Sequence, residues 1–408
     1  MQRLGTGNML DRDLVLTLCR FLHYGPLYLV GGSVRDFLLN REMRDYDFLL
    51  EGDVFALGRE LGTALKGEVI INSDFLTVSV ITRHYCIDIA RARRETYEQP
   101  ATLPKVSPAS IKEDLARRDF TINAMALPLL EKDWGSLIDP FGGEQDLEQK
   151  IIRYLYTESF LDDPTRILRA VRLKNRLGFT IEEGTLISLQ KYCPYLARVS
   201  PARRLHEWKL LCEETQLSAC LHDIYKLGVW PFLFSRVSFQ RENTEEMDVD
   251  VFRYLPDARK VRLWFIYLLF LLKTQRDKLP NLCKYWGISK RDEQDIDHTL
   301  AVLTLVKTGR GLPERKIYHA LRDLPLEGLY FCYYHFREWA GNWQEFYERV
   351  KNTALPLTGE DLIQAGCKEG PEIGRLLSYL QDAYFHGRFA TREEGLAYLR
   401  QYLERGKQ

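Results

Sequence analysis

The chain has 408 residues, 45% hydrophobic and 28% charged, with 57 Lys and Arg balanced by 57 Asp and Glu. That length exceeds one compact core, so several domains are expected. Zero net charge excludes a protein that coats nucleic acid or membrane through bulk charge, although it leaves room for a locally basic face. The eight cysteines are scattered with no C-x-x-C, a spacing that predicts reduced thiols rather than a disulfide framework or a zinc site.

In chain order, Asp11 and Asp13 interrupt the first apolar positions, which argues against a cleaved leader and makes cytoplasm the expected location. The segments "LYLV" (27–30), "YDFLL" (46–50), "EVII" (68–71), "LTVSVI" (76–81) and "YCIDIA" (85–90) predict strands, with helices near 33–39 and 54–65 between them. "ETYEQPATLPKVSPAS" (95–110) carries three prolines and predicts a surface loop. From about Ile151 onward the apolar period is helical. "LWFIYLLFLL" (263–272) is about half the ~20 residues that span a bilayer, so it predicts a buried helix and no membrane partner. "LPLTGEDLIQAGCKEGPEIGRLL" (355–377) breaks the helical tail with glycines, and Pro371 suits a first helical turn. The pattern predicts an α+β chain, a mixed small sheet with helices followed by an all-helical remainder.

Asp45 and Asp47 are two apart on a predicted strand, so their carboxylates share a face. Such a pair is costly unless a cation neutralises it, and Mg²⁺, which shares its oxygen shell between carboxylates, waters and substrate phosphates, fits. The competing reading is a solvated strand edge paired with Arg41 or Arg44. Gly31 and Gly32 end the preceding strand and open a helix, where backbone N–H groups can hold phosphate, with Ser33 and Arg35 in the same turn. Together these features point to a nucleoside triphosphate and Mg²⁺ in one pocket. Asp88 is a candidate third carboxylate, with a pairing to Arg91 or Arg93 as the alternative.

"GGSVRDFLLNREMRDYDF", "EDLARRDFTINAMAL" (113–127), "LIDPFGG" (137–143) and "DDPTRILRAVRLKNRLGF" (162–179) occur in that order. They resemble the successive motifs of the class II tRNA nucleotidyltransferase and bacterial poly(A) polymerase family, over roughly the first 210 residues. The tail segment "LTGEDLIQAG…GPEIGRLL" resembles bacterial members as well. The resemblance implies a nucleotidyltransferase head (1–145), a base-recognising neck (146–210), a helical body (211–330) and a tRNA-binding tail (331–408). It further implies that Asp45 and Asp47 bind the metal, with Asp88 completing the catalytic set, and that the partners are tRNA and ATP, with CTP left open.

Within that frame, "ARRDFTINA" contributes Arg118, Asp119 and Asn123 to ribose and phosphates, Asp119 accepting from a 2′-hydroxyl. Its plainer reading is a helix start with Glu113–Arg117 and Asp114–Arg118 pairs. In "DDPTR", Asp163 and Arg166 are three apart and are read as one helical face. A carboxylate beside a guanidinium matches the amino donor and ring-nitrogen acceptor of both C and A; U and G leave both groups mismatched, at roughly 1–3 kcal/mol each. The family's common Glu-Asp pair reads Asp162-Asp163 here, which leaves the hold on Arg166 open. Arg166, Arg169 and Arg172 recur at helical spacing, as does Arg176, the first two toward nucleotide and Arg172 toward RNA phosphate. Ser200 and Pro201 predict an N-cap and N1, followed by Arg203 and Arg204 as candidate RNA contacts. His222 and Asp223 form no phosphohydrolase site, since no further histidines stand at useful spacing.

Three products remain open from sequence: a complete CCA end, the terminal adenosine alone, or poly(A). The "DYDFLLEGD" strand resembles relatives that add only the adenosine, and the near-full-length 95–110 segment resembles the one members need for A addition. A tRNA-binding module with a decayed head is the alternative of another class, opposed by the intact metal pair, glycine turn and base-reading pair.

Overall fold

Six short strands build the sheet that carries the site. A computed structural model describes residues 12–43, 45–96, 98–102, 104–131, 133–247, 261–308, 314–340, 342–351, 355–385 and 388–405. The chain divides into two units, Met1–Ser235 and Arg236–Gln408.

In the first unit, α1 (Arg12–Cys19) precedes β1 (Leu27–Val30), α2 (Gly32–Leu38), β2 (Asp45–Leu50), α3 (Val54–Leu65), β3 (Glu68–Asn72), β4 (Thr77–Ile81) and β5 (Cys86–Arg91). Then come β6 (Arg93–Thr96), β7 (Lys105–Pro108), α4 (Ile111–Ala116) and β8 (Ala126–Pro128). Six strands pair in the order β3-β4-β5-β2-β1-β8. β2 and β5 are parallel and the other neighbours antiparallel, as a crossover through α3 requires.

On one face, Tyr46, Phe48, Leu50, Val78, Val80, Ile87 and Ile89 are buried. Helix α3 covers it, its N-terminus capped by the Asp53 carboxylate, which accepts from Phe55 N (3.0 Å) and Ala56 N (3.1 Å). A Cβ on Gly58 would lie 2.3 Å from Val78 Cγ1, so only glycine allows this approach. The other face is half covered. Leu49 packs with Val30, Ile111, Leu115 and Ala126 beneath α4, while Asp45, Asp47 and Asp88 stay exposed.

The expected loop at 95–110 is partly a hairpin, β6 pairing antiparallel with β7. Neither strand has a buried side, so no apolar alternation announces it; main-chain pairing makes the ribbon, and Glu95 ties it to Arg117. Beyond the sheet lie α5 (Gly143–Glu148), β9 (Ile151–Ile152), α6 (Ser159–Asp162), α7 (Thr165–Leu177), β10 (Thr180–Ile181), α8 (Glu183–Tyr192) and α9 (Pro201–Cys212). Helix α9 starts at the predicted Ser200 cap with Pro201 in its first turn.

In the second unit the described elements are helices. Leu263–Leu272 buries nine of its ten residues, and no helix among the described residues is long and apolar enough to cross a membrane. Helix Pro371–Phe385 begins at the expected proline, and Leu362, Leu376, Leu380 and Leu399 form a core there.

Because Val78 leaves no room beneath α3, Gly58→Val is expected to lower stability by about 1–3 kcal/mol. Thermal denaturation checks this, and an unchanged melting temperature would show that α3 rides higher than described.

Candidate active site

An open cleft of about 420 Å³ in the first unit is lined by six arginines (93, 117, 118, 166, 169 and 203) and four carboxylates (Asp47, Glu95, Asp119 and Asp163). An excess of guanidinium over carboxylate suits a polyanion.

The carboxylate strand reaches this cleft through its neighbours. Register places Asp47 beside Asp88 on β5, and Asp88 beside Ser79 on β4, so the carboxylates stand on adjacent parallel strands about 4.8 Å apart. The Ser79 hydroxyl donates to Asp88, rather than Arg91 or Arg93 pairing with it. Desolvation raises the Asp47 pKa; Asp88 and Asp45 raise it further, and Arg118 and Arg35 oppose them. These are hard oxygen donors with mutual repulsion, a set that fits a divalent cation. Among the described residues no group of three or more His, Cys, Asp or Glu converges to hold a metal.

The glycine turn works differently from the expectation. Gly31 has φ +66°, and its N–H donates to Met125 O at 3.3 Å, so that donor is already used. A Cβ there would lie 2.6 Å from Arg118 Nη1; the glycine makes room for a guanidinium. Ser33 is buried. Its Oγ accepts from Asp47 N at 2.9 Å and donates to Asp45 O at 3.5 Å, fixing the acidic strand rather than a phosphate. Arg35 is also buried. Its Nε and Nη2 donate to Asp36 and its Nη1 to Asn123 Oδ1 at 2.7 Å, so it acts as a brace away from the cleft.

From that brace a chain runs across the site. Asn123 Nδ2 donates to Asp119 Oδ1 (3.1 Å), and Arg169 Nη1 donates to Asp119 Oδ2 (2.9 Å). Desolvation acts to raise the Asp119 pKa, but Arg169, Arg166 and Asn123 outweigh it and hold the carboxyl below its usual range. Beneath it, fully buried Asp114 accepts from Arg93 N, Arg117 and Arg118. The expected Asp114–Arg118 pair is present, whereas Glu113 turns away to Ser110 N and Arg94, and Arg117 pairs with Asp114 and Glu95 instead.

Asp163 and Arg166 do not share a helical face. Asp163 is extended (φ −133°, ψ 95°) between α6 and α7. Its Oδ1 accepts from Thr165 N (3.0 Å), Thr165 Oγ1 (2.7 Å) and Arg203 Nη2 (2.7 Å). Arg166 is buried, its guanidinium donating to Ser159 Oγ (2.6 Å), Tyr156 OH (3.1 Å), Arg118 O (3.4 Å) and Arg117 O (2.8 Å). Asp162 reaches this arginine through Tyr156, whose hydroxyl donates to Asp162 Oδ2 at 2.9 Å; burial pushes that phenol up to about 12.

The rest of the basic stripe is neutralised. Arg172 is buried against Glu207 and Glu214, and Arg176 pairs with Glu214. Arg204 is buried and donates to Ala197 O and Val199 O. Arg172 and Arg204 are therefore core braces rather than exposed RNA contacts, because their side chains face carboxylates and carbonyls that burial would otherwise leave unpaired. Of the expected RNA arginines, Arg203 alone lines the cleft. Asp223 is taken by Lys174 and Asn175. The sequence reading missed Phe75, Arg93, Glu95 and Pro104 in the cleft wall; they lie on a hairpin turn and a ribbon with no motif, and only the proline punctuation hinted at structure there.

Acidic groups on an open sheet face beside an arginine-lined cleft define a class, the nucleotidyl-transferring enzymes. Family models described as the poly A polymerase head domain, the RNA and SrmB-binding site of polymerase A, and tRNA nucleotidyltransferase domain 2 match residues 27–153, 178–239 and 258–399. An A-adding tRNA nucleotidyltransferase of Halalkalibacterium halodurans is 30% identical over 92% of this chain and 88% of its own. One from Geobacter sulfurreducens is 32% identical over 90% of this chain, which spans 44% of that longer relative. A solved CCA-adding enzyme in an apo form superposes with TM-score 0.77 and 32% identity, covering 96% of each chain. The chain belongs to the tRNA nucleotidyltransferase family, whose members generally use a divalent metal.

Two outcomes follow from this geometry. Gly31→Ala combines a left-handed φ with the Arg118 contact and is expected to lower nucleotide incorporation at least tenfold and the melting temperature measurably. Asp119 has a folded pKa below its unfolded value, so its stabilisation is complete above about pH 4 and is lost as pH falls through the depressed value. Asp119→Asn is expected to cost about 1–2 kcal/mol at neutral pH, discounted because Arg169 is half exposed. The gap to wild type, followed by chemical denaturation, should be constant from pH 5 to 7 and close in stronger acid.

Proposed function

We propose that this chain extends the 3′ end of tRNA and adds the terminal adenosine from ATP, with Asp45 and Asp47 holding Mg²⁺. The observation that carries the reading is the in-register placement of Asp47 and Asp88 on the open face bordering the arginine-lined cleft. When bound, the cation neutralises phosphate charge and raises the acidity of the terminal RNA hydroxyl.

The protein's own groups do the rest. Ser33 and the sheet fix the acidic strand, and Gly31, Gly32 and Arg118 border the triphosphate. Asp119, oriented by Asn123 and Arg169, accepts from the ribose 2′-hydroxyl. Asp163 has one oxygen anchored and offers Oδ2 to the amino group at C6 of adenine or C4 of cytosine, where G and U carry a carbonyl oxygen instead. Head (1–145), neck (146–210), body (211–330) and tail (331–408) divide these tasks, the last two measuring the tRNA.

Adenosine is favoured by the names of both curated relatives, by the "DYDFLLEGD" strand and by the presence of the β6–β7 segment. The likeness to a CCA-adding structure favours full CCA addition as the second reading, because C and A offer the same amino-and-acceptor edge. Relatives named for tRNA ends weigh against general poly(A) tailing and against a decayed binding module. Labelled ATP or CTP offered to tRNAs ending at the discriminator base, at C and at CC separates the cases. One adenosine on the CC substrate alone is expected; CTP incorporation supports the second reading, and long A tails contradict both. Asp45→Ala and Asp47→Ala should each reduce incorporation by roughly 1,000-fold or more and leave tRNA affinity unchanged in filter binding.

A further inference from the structure

We infer that β3, the outer strand of the six-stranded sheet, pairs antiparallel with β3 of a second copy of this chain, joining the two sheets into one across a two-fold axis at Ile70.

The two edges of the sheet differ. Beyond β8 the chain folds back: Ala126 N donates to Ile138 O at 3.0 Å, Ile138 N to Ala126 O at 2.8 Å, and Gly135 N to Pro128 O at 2.8 Å. That edge is closed. β3 stands at the other end of the strand order and reads Glu-Val-Ile-Ile-Asn, without the proline or lysine by which edge strands discourage pairing. Ten large hydrophobic side chains are exposed among the described residues, and three lie at this edge: Ile70 (49%), Ile71 (42%) and Ile81 (39%).

Register fixes which groups face outward. Thr82 N donates to Tyr85 O and Arg91 N to Leu76 O, so the even-numbered positions of β4 bond to β5 and the odd-numbered ones to β3. Glu68, Ile70 and Asn72, opposite Ile81, Ser79 and Thr77, therefore spend their main-chain groups inward. Val69 and Ile71 turn their N–H and C=O groups outward. A two-fold axis at Ile70 sets Val69 opposite Ile71 of the second copy, a pair that exchanges two hydrogen bonds on each side of the axis.

The side chains select that register and that partner. Centred on Ile70, the pairing sets Ile70 against its own copy, Glu68 against Asn72, and Lys66 against Asp74 just beyond the strand ends. All of these residues are exposed, and neither Lys66 nor Asp74 has an ion-pair partner among the described residues. Asn72 Oδ1 accepts from Phe75 N at 3.4 Å, which leaves its amide N–H groups for the Glu68 carboxylate. An axis at Ile71 would bring Glu68 against Asp74, and one at Val69 would leave Lys66 facing Asn72. Only the Ile70 axis matches charge at both ends. A strand complementary to itself under a two-fold fits a second copy of the same chain. The two acidic sites then lie seven strand spacings apart, roughly 34 Å, so each belongs to its own chain.

The test is sedimentation equilibrium of the full chain, and wild type is expected to dimerise at micromolar concentration. Lys66→Glu and Asp74→Lys should each weaken self-association roughly tenfold, because like charges then meet at both ends. Mixing the two variants should restore association, since each charge then meets its opposite. Ile71→Pro loses only an outward N–H and should be monomeric, with wild-type circular dichroism and nucleotide incorporation. Ile70→Cys should cross-link to itself under mild oxidation, whereas Asn72→Cys, whose mate is Glu68, should not. If Ile71→Pro fails to fold, the charge exchange and the cysteine pair decide. A monomeric wild type overturns the inference, as does a dimer indifferent to the charge exchange.

Discussion

Two carboxylates forced side by side by sheet register govern this site. Parallel pairing of β2 with β5 sets Asp47 next to Asp88, with Asp45 one pleat away. Desolvation raises the Asp47 pKa, Asp88 and Asp45 raise it further, and Arg118 and Arg35 offset part of the effect. Such an arrangement costs free energy that a bound cation would lower. The surrounding scaffold is what keeps it from relaxing: Ser33 bonds the strand's main chain on both sides, and α3 clamps the opposite face against Val78 and Val80.

Around the acidic face, arginines are used in two distinct ways. Arg35, Arg166, Arg172 and Arg204 are buried and exchange their donors for carbonyls, amides and carboxylates, so they are internal fasteners. Arg118, Arg169 and Arg203 each spend part of the guanidinium on an anchoring carboxylate and turn the remainder toward the cleft. A planar group with five donors can do both at once, which a lysine cannot. The chain from Arg35 through Asn123 and Asp119 to Arg169 therefore joins α2 to α7 across one end of the cleft.

What sequence made legible follows from how each signal arises. The D-Y-D-F-L-L alternation shows a carboxylate face on a half-buried strand, and the five predicted strands match within about a residue because runs of β-branched and aromatic residues mark them, even in β3, where no residue is buried. The motif order revealed the family. The β6–β7 ribbon was not visible, since neither strand buries a face. Asp163 and Arg166 were read as one helical face because three-residue spacing is silent about a chain break; Pro164 between them marks the start of α7, leaving Asp163 extended. The Arg172 and Arg204 expectations failed for a related reason. Helical spacing predicts a stripe but says nothing of Glu207 and Glu214, which pair with Arg172 and Arg176, or of the Ala197 and Val199 carbonyls that take Arg204.

The central claim is that the acidic pair on β2 exists to hold a divalent cation against nucleotide phosphates. Anomalous diffraction from crystals soaked with Mn²⁺ and a non-hydrolysable ATP analogue tests it most directly. The account predicts a peak bridging the carboxylate oxygens of Asp45 and Asp47 at about 2.1 Å, the octahedral-cation distance, with phosphate oxygens in the same shell. Ordered nucleotide in the cleft with no metal on those two side chains would contradict it.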